Sequence, residues 1–145
     1  MVENDIYMAL TNHLQGLTLP DDIGGVLWHG YPHPDPEPDN YLYAQHIPND
    51  PLTKSISGMG GMLRGFFQVN VVMRQGENSE GQQVGPFQAN HIAGLLVEHF
   101  KGQVLYQDGL QVKVPSIPAI APPIIETGKI TVPVSIEYQA PIYEV

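Results

Sequence analysis

The chain contains no cysteine, which removes disulfides, thiolate metal sites and cysteine nucleophiles together and suits folding in a reducing compartment. Basic residues are scarce as well: six Lys and Arg face fifteen Asp and Glu, a formal charge of −9 at pH 7. A surface of that sign repels nucleic-acid phosphate and anionic membrane, so tight nucleic-acid binding is not expected. Long apolar runs are also missing, because Pro118, Pro122 and Pro123 cut the best of them far below a bilayer span. The opening MVENDIYMAL has no Lys or Arg and so lacks the basic region of a secretory signal, and a soluble intracellular protein is expected. No phosphate-cradling glycine loop with Lys-Ser/Thr, no GxSxG elbow and no HExxH helix occurs. The expectation is a protein without cofactor or catalytic residues.

What is present suits one domain over residues 1–145, a size that buries roughly two-thirds of the surface of the unfolded chain. The organising stretch is MLRGFFQVNVVM at 62–73. Its alternation puts Leu63, Gly65, Phe67, Val69, Val71 and Met73 on one face and Arg64, Phe66, Gln68, Asn70 and Val72 on the other. Phe66 and Val72 on the second face imply a partial cover there, for which a neighbouring subunit is a candidate.

Two helices are predicted. In residues 2–16, Ile6, Leu10, Leu14 and Leu17 form a stripe that His13 rims, and Gly16 is the stop. The second opens at Gly85-Pro86, carries Ala89, Ile92, Ala93, Leu96 and Phe100 on one face, and ends at Lys101-Gly102. Further strands are read at 25–29, 40–47 and 129–138, and a hairpin at 103–114 turns at Asp108-Gly109, a favoured pair for a tight turn. Pro133 makes the last strand an edge, or turns its N–H side away from any neighbour. The proline-rich segments 32–38 and 115–123 read as extended surface chain, the second along a sheet edge. Residues 48–61 and 74–84 read as exposed loops that order only on contact with a partner, and the tail APIYEV as a segment packing on a neighbour. The fold class is α+β, a twisted, mostly antiparallel sheet with two main helices packed on one face.

Histidine forms the one suggestive cluster: His29, His33 and His46, with Asp35, Glu37 and Asp39 between them. If the strands at 25–29 and 40–47 pair, His29 and His46 could approach and carboxylates complete a metal site. Solvated or hydrogen-bonded surface histidines are the simpler reading. His91 and His99, eight apart on the second helix, stand two turns apart, too far for one metal.

The run Arg64-Gly65-Phe66-Phe67-Gln68-Val69-Asn70-Val71, the polar loop after it, the Ala89 to Phe100 helical stripe, the Asp108-Gly109 hairpin and Val132-Pro133-Val134-Ser135-Ile136-Glu137-Tyr138 together resemble the tail terminator-like proteins of long-tailed phages and prophages. The resemblance implies a virion tail or neck protein, assembled in the host cytoplasm. Such a subunit joins a ring, typically hexameric, that stops tail-tube polymerisation and meets the head-tail connector or head-closure protein. It implies no catalytic residue, no cofactor and no membrane, and DNA would cross an acidic lumen without specific binding. Candidate contact residues are Trp28, Lys54, Met59, Met62, Arg64, Phe66, Arg74, Pro133 and Tyr143. Another neck, head-closure or tail-tube component is the alternative, and a small metal-binding protein or metal-dependent enzyme a more distant one.

Overall fold

The alternating stretch becomes the middle of a fifteen-residue strand, paired along its whole length with a second strand of fifteen residues. The computed structural model describes residues 2–49, 60–77 and 83–143. In chain order these form α1 (Val2–Gln15), β1 (Val26–Trp28), β2 (Tyr41–Pro48), β3 (Gly60–Arg74), β4 (Gly76–Glu77), β5 (Gln83–Val84), α2 (Pro86–Phe100), β6 (Val104–Gln107), β7 (Leu110–Lys113), β8 (Ala119–Ile120), β9 (Ile124–Glu126) and β10 (Lys129–Tyr143). The main sheet runs β1-β2-β3-β10-β7-β6, with β8 and β9 also paired to β10, and β4-β5 forms a separate ribbon. Among the described residues only the β1-β2 pair is parallel.

The dry face of β3 meets that of β10 residue for residue: Met73 opposite Ile130, Val71 opposite Val132, Val69 opposite Val134 and Phe67 opposite Ile136. All eight side chains are buried. Alternation at period two on both strands makes this register the one that hides every large apolar group, since a one-residue slip would expose the set. On this face α2 lays Ala89, Ile92, Ala93, Leu96 and Phe100, its small residues allowing close approach to the strands. α1 adds Ile6, Ala9, Leu10 and Leu14 to the same core. It touches β6 and β7 near one end of the strand order and lies beside Trp28 of β1 at the other, so the sheet curls around it. Among the described residues no helix is long and apolar enough to cross a membrane.

Three details differ from expectation. The last strand extends to Tyr143, so Ala140 to Tyr143 pairs with Gly60 to Leu63 of its own chain instead of waiting for a neighbour. β10 is central and not an edge, so of the two arrangements expected for Pro133 the structure takes the second: its nitrogen side points away from any ladder partner, towards the break between β8 and β9, where Ala121 N–H donates to the Pro133 carbonyl. The cover over Val72 comes from the chain itself: Leu27 of β1 and Tyr41 of β2 form a small second cluster with it, and Tyr43 packs alongside. The expected loop 74–84 contains the β4-β5 ribbon, while residues 50–59 and 78–82 of the two proposed loops lie outside the described residues. The hairpin forms as read, with Asp108 at φ 49° and Gly109 at φ 79°, both in the left-handed region that its two-residue turn requires.

Two contacts lock the layers together. The Tyr138 ring is fully buried, and its hydroxyl shares a 2.7 Å hydrogen bond with His46 Nε2 on β2, two strands away. The path between them crosses Gly65, where a Cβ would stand 2.7 Å from the Tyr138 hydroxyl and 2.5 Å from the Ile47 carbonyl oxygen. At the C-terminal ends of the helices, His13 Nε2 donates to the His99 carbonyl at 2.7 Å and His99 Nε2 donates back to the His13 carbonyl. The two rings stack at 4.0 Å between centroids. Each helix therefore caps the other at its last turn, the His13 carbonyl accepting from the Gly16 N–H at 3.1 Å as well.

Gly65→Ala should destabilise the fold by about 1–3 kcal/mol in urea unfolding, because backbone on β2 cannot yield to the new methyl. Gly94→Ala, in mid-helix with nothing within 4 Å of the added carbon, should be neutral or stabilising by up to about 1 kcal/mol. Burial holds His13 below its ordinary pKa of 6.5, partly offset by its bond to the His99 carbonyl, and the neighbouring His99 ring lowers it further. The unfolded chain thus takes up this proton first. Stability contributed at His13 is complete above pH 6.5 and declines as pH falls through the unfolded value towards the depressed folded one. His13→Gln, which keeps a donor, should flatten the acid limb of a melting-temperature profile between about pH 7 and pH 5 relative to the parent.

Candidate interaction site

Trp28, the only tryptophan, ends β1 on the helix side of the sheet, opposite Ala44 in register. Its ring forms one wall of an open pocket of about 170 Å³ completed by Tyr7, Thr11 and Gln15 from one face of α1 and by Tyr31. The spacing of Tyr7, Thr11 and Gln15 is four and four, so one helix face supplies all three. The walls are three aromatic rings with a hydroxyl and an amide, and among the described residues no charged side chain lines them. Burial raises the Tyr7 pKa, with Tyr31 nearby adding to the shift, so the Tyr7 hydroxyl stays protonated through the neutral range and available as a donor.

The remaining sequence candidates divide into groups. Met62, Arg64 and Phe66 share the solvent face near one end of β3, where Phe66 and Ile47 stand side by side and exposed. Arg74 lies eight residues further along the strand from Phe66, roughly 27 Å away at ~3.4 Å per residue, and cannot join that group. It is held instead near β2 by a 3.6 Å ion pair to Asp39, while its backbone N–H donates to Asn40 Oδ1 at 2.9 Å. Pro133 sits opposite Asn70 within the sheet. Tyr143 pairs with Gly60 through the backbone, and its side chain, like Lys54 and Met59, lies outside the described residues.

The histidines do not converge. Register places Trp28 opposite Ala44, so His29 follows on the solvent face while His46 points to the helix side with Tyr7 and Tyr138. His29 Nδ1 bonds the Tyr43 hydroxyl at 2.7 Å, and His33 Nδ1 donates to Glu37 Oε1 at 2.8 Å. Among the described residues no group of three or more His, Asp or Glu is placed to hold a metal ion.

A second surface was not anticipated as a contact site. Ile117, Ile120, Ile124 and Ile125, on and around β8 and β9, are each between 43 and 68% exposed. The segment 115–125 has no charged residue and four isoleucines among its prolines. That composition was the available signal, since an extended segment with no polar face has to show apolar groups somewhere.

No curated protein matches the chain. One chain of known structure, itself without a functional name, is 26% identical over 99% of this chain and 98% of its own length, with a TM-score of 0.72. The family model described as phage tail terminator protein matches residues 5–138, from the first turns of α1 to Tyr138 in β10. The pocket and the exposed apolar surfaces therefore sit on a phage tail structural protein: the chain belongs to the phage tail terminator protein family.

Proposed function

We propose that copies of this protein form a ring at the head-proximal end of a phage tail tube, where the ring ends tube polymerisation and offers a surface to the head-tail connector or head-closure protein. The observation that carries this reading is the family match over residues 5–138. The surfaces support it: β1 is an unpaired sheet edge beside an aromatic pocket, an uncharged isoleucine surface is exposed on β8 and β9, and Met62, Arg64 and Phe66 stand together on the solvent face. A contact protein works through such surfaces and needs no reacting group. The formal charge of −9 suits a lumen that DNA crosses without sticking, since no counterion release rewards contact with an acidic wall. Met62, Arg64 and Phe66 are assigned to the tube or connector contact, with Lys54, Met59 and Tyr143 as further contributors.

The test combines light scattering with negative-stain imaging of the purified protein, alone and with polymerising tail-tube subunits. Rings, and shorter tubes bearing density at one end, are expected. A monomer that neither binds nor shortens tubes overturns the reading. The double variant Arg64→Glu/Phe66→Asp should retain its melting temperature, because both side chains stand on the solvent face, and should weaken tube capping by about 10- to 100-fold.

A further inference from the structure

The aromatic pocket and the isoleucine surface occupy opposite edges of the sheet, and the register sets them on one row. Trp28 pairs with Ala44, Ala44 with Val69, Val69 with Val134 and Val134 with Ile120. All five residues lie on the helix side, because directly paired residues share a face. The row thus begins at the pocket wall in β1 and ends at an exposed isoleucine in β8, four strand steps away, or roughly 20 Å along the sheet at ~4.8 Å per step. One end is an aromatic pocket; the other is exposed and aliphatic. The two strands on this row carry no charged residue, β1 reading Val-Leu-Trp and β8 Ala-Ile, while the charge on the isoleucine edge stands at Glu126, at the end of β9.

We infer that these two edges are complementary halves of one head-to-tail contact, in which Ile120 and its neighbour Ile117 of one copy fill the Tyr7, Trp28 and Tyr31 pocket of the next. The occupant is a second copy of this chain for three reasons. The donor and acceptor surfaces lie on one register row of the same curled sheet but on different strands, so each copy presents both halves of a heterologous contact. The sheet's twist of roughly 20–25° per strand adds a rotation at each step, which lets a heterologous contact close into a ring. Copies that each carry −9 repel, and an uncharged contact on both sides meets the least of that repulsion. Pro118, Pro122 and Pro123 remove backbone donors around β8, so the contact is made by side chains rather than by a continued ladder. This inference rests on the ring reading and specifies which surfaces build the ring.

The chain has no cysteine, so introduced thiols report without background. Tyr31 is 62% exposed and Ile120 43%, and Tyr31→Cys and Ile120→Cys leave the core untouched. The two variants are mixed and oxidised, with Phe87→Cys, 80% exposed on α2, replacing either partner as control, and products are read by non-reducing gel and mass spectrometry. The expected result is a Tyr31→Cys/Ile120→Cys dimer at about tenfold or more over the control pairs, because a specific contact raises the effective thiol concentration. The doubly substituted chain should give a ladder ending in a closed ring. Preferential Tyr31→Cys homodimers or Ile120→Cys homodimers would overturn the head-to-tail contact. Rings of the parent protein with no preferred cross-link would overturn these surfaces while leaving the ring reading intact. A parent that stays monomeric with tube subunits present, again with no preferred cross-link, would overturn both.

Discussion

The antiparallel pairing of β3 with β10 is the constraint on which the other elements depend. Fifteen consecutive pairs hold the two strands in one register, and the alternating side chains of both then form a continuous apolar face that α2 and α1 must cover. Non-local strand pairing of this kind orders a long chain segment before it gains its contacts, and an unambiguous alternation pattern is what makes one register win. The same pair sets the positions of everything peripheral. β2 takes one flank of it, β7, β8 and β9 divide the other, and β1 and β6 become the outer edges.

The two polar anchors work because of that frame. Tyr138 reaches His46 only across a strand position without a side chain, and Gly65 supplies it. His13 and His99 meet only because the sheet brings the ends of two helices together, where each ring finds a carbonyl of the other helix. Both anchors place imidazoles in structural roles. Three of the six histidines are thereby accounted for without invoking chemistry, and His29 and His33 have surface partners in Tyr43 and Glu37.

In the ring proposed above, an acidic protein contacts other copies through surface that does not carry its charge. The pocket between α1 and β1 and the isoleucines at β8 and β9 suit that role, being surfaces of aromatic and aliphatic side chains. Proline in the 115–125 segment has a double effect. It allows the chain to run along β10 without building a full strand, and it limits uncontrolled edge-to-edge pairing of an exposed apolar segment.

Both helices, the hairpin at Asp108-Gly109 and the two long strands were legible because each is specified by local periodicity or turn chemistry, which depends on neighbours in the chain alone. The partners of these residues were not. That His29 and His46 face opposite sides follows from the β1-β2 register, which no local pattern fixes; that Pro133 sits in a central strand follows from a break in the flanking strand eleven residues upstream, at Pro122. The sequence by itself determined which residues must be hidden and at what period, because burial of apolar surface acts on each segment's own pattern. Only the tertiary structure decided which edges stay open, which histidines meet and which surfaces stand level with each other, because those depend on contacts between segments far apart in the chain.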